Sequence, residues 1–216
     1  ILAISVLFQH AVTNYAYFVT GTWTITDVRF YRHLGGESVI LFFMITSFLY
    51  WSKAIASKGK LDIYALYRSR FLRLAPMYLF SAIIVMVIAL AQTSFAIASP
   101  MVFVRDALSW LSFGIVTTTT VNGISIIPIN AGIHWTLHFE WIFYLLLPVT
   151  ALVLRNKIST GIALPAFLLF LYFFVPDWGY WIIFLFGMAA AHVVALVPVD
   201  TPRTVWMRSP WMAIVP

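Results

Sequence analysis

The residue in this chain with the greatest chemical promise is Glu140, inside HWTLHFEWIFYLLLP (134–148), a run that otherwise reads as a membrane-spanning helix. A carboxylate at such depth costs a few kcal/mol or more unless it faces protein and finds a partner, so it is a functional-site candidate by default. Helical spacing places Thr136 and Tyr144 one turn on either side of it, where their hydroxyls can hold the charge. Trp135 and Trp141 suit a membrane interface or the mouth of a cavity. His134 and His138 are four apart, so two imidazoles and Glu140 make a conceivable metal set. There is no HExxH order and no further acid nearby, and the expectation is no metal.

A second candidate is His10, deep in ILAISVLFQHAVTNYAY. A neutral imidazole there can abstract a proton near pH 7; the alternative is a core histidine bonded to a neighbouring helix. The third is the basic pair of YRSRFLRLAPMY (67–78). Arg70 and Arg73 fall on one helical face about a turn apart and can grip a phosphate or pyrophosphate, or they can meet anionic lipid beside the membrane, with Pro76 opening the next span. In GGESVILFFMITSFLYW (35–51), Gly35 and Gly36 suit a tight helix entry and Glu37 its first turn, while Thr46, Ser47 and the glycines can equally serve helix packing. His192, alone in AAAHVVAL, reads as a packing residue.

The elements that must carry these groups follow from composition. Of 216 residues, 62% are hydrophobic and 9% charged, against about 25% charged in soluble domains. This is an integral, multi-pass membrane protein of the all-α class, a polytopic transmembrane bundle in contact with lipid. Spans are expected at 1–19, 34–52, 77–97, 135–154, 158–175 and 179–198, about six and up to eight. The segment 107–133 carries no charge beyond its edges but is broken by TTTT (117–120), Asn122-Gly123 and Pro128. The net charge of +6 marks cytoplasmic loops rather than a nucleic-acid binder: Lys53 to Arg73, Arg155 with Lys157, and Arg203 with Arg208 place three loops inside. Counting crossings, 107–133 then makes no net crossing or crosses twice. The absence of cysteine excludes a disulfide framework and thiolate chemistry. Ile1 lies within an apolar stretch and Pro216 ends a new apolar run, WMAIVP, so one domain over 1–216, truncated at both ends, is expected.

These pieces, in this order, resemble the acyltransferase-3 family of membrane O-acyltransferases. The matching residues are His10 in VLFQHA, the Gly-Gly and LFFMITSFL of 35–49, RSRFLRLAP (68–76) against R-x-x-R-x-x-P, and HWTLHFEWIFYLLLP against W-[ST]-L-x-x-E-x-x-F-Y-x-x-x-P. They cover roughly the N-terminal two-thirds of that family's domain. The resemblance implies transfer of an acyl group, often acetyl, from cytoplasmic acyl-CoA to a hydroxyl of a carbohydrate or glycolipid acceptor, in a bacterial inner membrane. By carry-over, His10 is the essential first-span histidine, Arg70 and Arg73 the CoA-associated pair, and Glu140 the glutamate of the tryptophan motif, shaped by Trp135, Thr136 and Tyr144. Two departures stand out. Thr46-Ser47-Phe48 replaces the usual Ser-Gly-Phe, and the arginine expected eleven residues before the histidine would fall before Ile1. The competing reading is a proton-coupled transporter or flippase using His10 and Glu140 as a relay.

Overall fold

The computed structural model describes residues 1–23, 28–116, 118–132, 134–155, 169, 172 and 179–196. Their order is α1 (Leu2–Thr20), α2 (Arg29–Ala56), α3 (Ile63–Gln92), α4 (Pro100–Leu111), β1 (Thr120–Val121), β2 (Ile124–Ser125), α5 (Ile127–Asn130), α6 (Trp135–Ala151), a 3-10 turn (Leu152–Arg155) and α7 (Gly179–Leu196). The fold is all-α apart from one small hairpin. By length and composition α2, α3 and α7 suffice to cross a membrane. The expected span 158–175, together with Lys157, Arg203 and Arg208, lies outside the described residues. Two compact units are distinguished, Ile1–Phe43 with Leu61–Thr150, and Met44–Lys60 with Ala151–Pro216.

In the first unit, α1 buries only Gln9 and Thr13. Gln9 Nε2 donates to Thr13 Oγ1 at 3.2 Å, and Thr13 Oγ1 donates back to the Gln9 carbonyl at 3.0 Å. Gly21 ends the helix in the left-handed region, its N–H donating to the Tyr17 carbonyl, a conformation glycine adopts without strain. Gln9 lies against α2 at Gly35, where an added Cβ would come 2.7 Å from Gln9 Oε1. Glycine permits that approach without displacing the Gln9 side chain, a device by which membrane helices close on each other without a hydrophobic drive. The Gly-Gly pair therefore does not form a helix entry. Because α2 already starts at Arg29, Gly35, Gly36 and Glu37 sit in its second turn and beyond, and Glu37 pairs with exposed His33 at 3.3 Å.

The loop before α3 is shorter than expected. Lys53 belongs to the last turn of α2, and α3 begins at Ile63 because Asp62 caps it, accepting from the Ala65 N–H at 2.9 Å. Arg68, Arg70 and Arg73 are consequently helical, and Pro76 lies inside α3 rather than opening it. A 30-residue helix is about 45 Å long, enough to carry its first turns through the headgroup zone. Downstream, Ala75, Tyr78, Ala82, Val85 and Ala89 form a buried seam, packed with Trp110, Val121 and Ile126.

That seam is covered by the segment that was ambiguous in sequence. The 12 residues of α4 reach about 18 Å, short of the ~30 Å of hydrocarbon. Asn122 and Gly123, with φ of 52° and 80°, form the tight turn between β1 and β2, the geometry Asn-Gly favours. Asn122 also donates to Thr93 Oγ1 at 3.0 Å and the Ala96 carbonyl at 2.8 Å, and accepts from the Ala98 N–H at 3.3 Å. Among the described residues of 107–133 there is no helix of spanning length.

In the second unit, α7 packs on the latter part of α2. A Cβ at Gly187 would overlap Ser47 Oγ and the Met44 carbonyl, and Ser47 is fully buried. The close contact expected of a glycine at position 47 is thus made by a glycine on the facing helix. His192 rests edge-on against Trp51 at 5.9 Å between centroids, which agrees with a packing role.

Candidate active site

Glu140 is 5% exposed and is held by its own helix: Tyr144 Oη donates to Oε2 at 3.0 Å. The i,i+4 spacing alone dictates this bond. From α3, the guanidinium groups of Arg70 and Arg73 both act electrostatically on the carboxylate, and Arg70 Cζ lies 5.9 Å from the centre of the Tyr144 ring. Tyr67, one turn before Arg70, donates to the Leu145 carbonyl at 3.5 Å. The face of α3 carrying Tyr67 and Arg70 is therefore turned to α6. The Tyr144 hydroxyl and the two guanidinium groups offset part of the cost of burying the carboxylate.

The two arginines differ in setting. Arg70 is half-buried and Arg73 exposed. From the start of α3 at Ile63 they stand about 10 Å and 15 Å along the helix, not in a flexible loop. The sequence signal for this was the Asp62 cap ahead of Ile63, which marks the helix start.

Aromatic rings pack around the first turns of α6. Trp135 meets Phe43 at 6.3 Å and Phe139 at 5.8 Å, both edge-on, and half-buried Thr136 lies one turn before the carboxylate. Trp141 is 8% exposed and packs edge-on against Tyr144, so it supports the site from within rather than lining a mouth.

His10 stands apart. It lies on α1 next to buried Gln9, is half-buried, and its Nδ1 is buried with no hydrogen-bond partner. No hydrogen bond or ion pair links it to Glu140 among the described residues. The structure thus brings Arg70, Arg73, Glu140 and Tyr144 together and leaves His10 on a separate helix of the same unit.

His134 and His138 hold a loop. His138 Nδ1 donates to the Ile115 carbonyl at 2.8 Å, and His134, in the turn before α6, donates to the Thr118 carbonyl. Burial pushes the His134 imidazole below its ordinary pKa, with the Thr118 bond opposing. Among the described residues no three metal-ligating side chains cluster. One buried group escaped the sequence reading, Asp106 on α4, 1% exposed, with Oδ1 taking Nε and Nη2 of Arg105 at 3.2 and 2.9 Å. Its signal was an aspartate one helical turn before Trp110 in an otherwise apolar helix.

An all-α membrane fold with a buried, arginine-faced glutamate defines a class, membrane proteins with an intramembrane polar site. Residues 1–211 match the acyltransferase-3 family, described as an acyltransferase domain, and the chain belongs to that family. It is an integral membrane acyltransferase. No curated protein and no solved structure matches it.

Proposed function

We propose that this enzyme moves an acyl group, acetyl in the simplest case, from cytoplasmic acyl-CoA to a hydroxyl of a carbohydrate or glycolipid acceptor in a bacterial inner membrane, with His10 as general base. The observation that carries this reading is the convergence of Arg70 and Arg73 with Glu140 and Tyr144 across α3 and α6. A cationic pair embedded in a helix beside a fixed carboxylate joins a phosphate-binding element to a polar reaction zone. The family match spans both compact units, which supports treating 1–216 as one domain.

The chemistry follows from the bonds exchanged. An acceptor hydroxyl has too high a pKa to attack a thioester unaided, so a base takes its proton as the new C–O bond forms. His10 supplies that base. The tetrahedral intermediate collapses with loss of the C–S bond, and the proton passes from the imidazolium to the departing thiolate, giving the ester and CoA. Arg73, on the exposed face, and Arg70, turned inward, hold CoA phosphates by charge-assisted hydrogen bonds. Glu140 accepts from acceptor hydroxyls and keeps Arg70 oriented through their shared contact with Tyr144. The R-x-x-R-x-x-P element of α3 favours transfer over a proton relay through His10 and Glu140.

The test is incubation of membranes containing the full-length protein with labelled acetyl-CoA, following label into glycan and lipid fractions. Label fixed in an alkali-labile ester supports the reading. Movement of acceptor across the membrane without CoA dependence returns it to transport.

A further inference from the structure

The path of the chain between α3 and α6 follows from its contacts. Past Gln92 it stays at the end of α3: the Phe95 N–H donates to the Leu90 carbonyl, and the Asn122 side chain ties Thr93, Ala96 and Ala98 together. From there α4 begins at Pro100. Near its far end Trp110 stacks on Tyr78 at 6.2 Å, and Phe113 lies beside both Tyr78, at 5.5 Å, and Phe71, at 5.3 Å. Tyr78 stands about 21 Å of helix before Gln92. So α4 runs back along α3, and at Asn122 the chain has returned to the end it left.

This excursion is made in lipid. The face of α4 turned to protein carries Asp106, Ser109 and Trp110, while the open face carries Met101, Val104, Leu108 and Leu111, the reverse of a helix that meets water. Arg105 is exposed at the edge of that face and has Asp106 as counter-ion at 2.9 Å, the pairing a charge at depth requires. Beyond α4 the tip Phe113–Val116 leaves helical geometry, with φ of 57° at Phe113 and 82° at Gly114. Such backbone persists at membrane depth only where protein satisfies it. Groups from three helices do so. Ser109 on α4 and Ser112 at its end donate to the Val116 carbonyl at 3.1 and 3.2 Å; His138 on α6 donates to the Ile115 carbonyl at 2.8 Å; and Tyr78 on α3 shares a hydrogen bond with the Gly114 backbone.

We propose that α4, the tip and β1 form a re-entrant element that enters from the non-cytoplasmic face and closes the Arg70–Glu140 site against water from that side, with His138 and Tyr78 as positioning residues that hold the tip at depth. Phe71, which Phe113 touches, directly follows Arg70. Leu137 lies about 4.5 Å before Glu140 along α6 and faces Gly114, where an added Cβ would come 3.1 Å from Leu137 Cβ. Phe71, Phe113 and Leu137 thus stand between the polar cluster and the end of α3 without basic residues, the non-cytoplasmic end. The chemical role rests on the transfer reading above. Water admitted past the tip attacks the thioester in place of the acceptor: a C–O bond to water forms, the C–S bond breaks, one proton goes to the departing thiolate and the other to solvent, and acetate and CoA leave.

The first test uses single cysteines in the full-length protein, in right-side-out membrane vesicles, with an impermeant maleimide. Leu108 and Val116 are 61% and 58% exposed in the molecule, so in a loop standing in water Leu108→Cys and Val116→Cys would react as readily as Ser125→Cys on the hairpin. The re-entrant element predicts that Ser125→Cys reacts, that the other two are protected by lipid, and that adding His138→Leu or Tyr78→Phe exposes Val116→Cys. Equal labelling of all three sites, or protection of Val116→Cys unchanged in both variants, overturns the proposal. The second test is acetyl-CoA hydrolysis without acceptor. His138→Leu and Tyr78→Phe raise it by roughly tenfold, as expected when one hydrogen bond holding the tip is lost, with the KM for acetyl-CoA unchanged, whereas His138→Asn, whose amide can donate in place of Nδ1, stays at the wild-type level. Wild-type hydrolysis in both variants overturns the barrier. A protein that neither transfers nor hydrolyses acetyl-CoA contradicts the transfer reading instead, and protection of Val116→Cys that the variants abolish then still supports the barrier.

Discussion

Glu140 and Asp106 are the two buried carboxylates among the described residues, and they are treated in opposite ways. Glu140 receives the Tyr144 hydroxyl from its own helix and two guanidinium groups from α3. Asp106 has one oxygen bound to Arg105, whose side chain is 70% exposed, and the other oxygen unpartnered. The first is partly compensated inside the helical packing, where lipid offers nothing. The second lies on α4, with its other oxygen buried and without a hydrogen-bond partner. Glu140 is thus held among donors, whereas Asp106 keeps one oxygen without a hydrogen-bond partner.

Substitution of the two carboxylates by their amides sharpens this contrast. Glu140→Gln is expected to lower acyl transfer on the order of 100-fold or more while the protein still inserts and purifies; full activity would make the residue structural. Next in size is the arginine pair. Arg70→Gln with Arg73→Gln should weaken acyl-CoA binding by roughly 10-fold to 100-fold, since hydrogen bonds to charged groups contribute about 1.5–3 kcal/mol each. Equilibrium binding of labelled CoA reads this directly, and unchanged affinity would assign both arginines to Glu140 and topology alone.

Tyr144→Phe tests the compensation of Glu140 by itself. Removing the only hydroxyl shown to bond Oε2 should cost about 1.5–3 kcal/mol of stability, visible as a lower melting temperature. Asp106→Asn is expected to shift stability least, within about 1 kcal/mol, because the lost pair is with an exposed arginine. If Asp106→Asn unfolds the protein while Tyr144→Phe does not, the contrast is inverted.

Much of this was legible in sequence where local spacing decides the outcome. The all-α membrane class followed from composition, and the Glu140–Tyr144 bond from a four-residue interval. Where a helix begins is harder to read, because a basic cluster marks a cytoplasmic loop as readily as a helical face. Arg68, Arg70 and Arg73 look like a juxtamembrane cluster, yet the Asp62 cap and the length of α3 carry them into the helix, where Arg70 and Arg73 act electrostatically on Glu140. Likewise α2 starts at Arg29, so Gly35 meets Gln9 in mid-helix. Asp106 was invisible for another reason. Its burial depends on α4 folding over Tyr78 and Val85 beneath the 120–125 hairpin, and no local pattern specifies that packing.

The central claim, acyl transfer driven by a base on α1, is tested most directly by His10→Gln in labelled acetyl-CoA transfer across a pH series. Glutamine keeps hydrogen bonding but cannot take the proton. The account predicts that transfer falls by on the order of 100-fold to 10,000-fold with CoA binding retained, and that the wild-type rate declines toward acid pH as the imidazole protonates. Near-normal turnover of His10→Gln, with the wild-type pH profile, would contradict it and leave His10 as a packing residue.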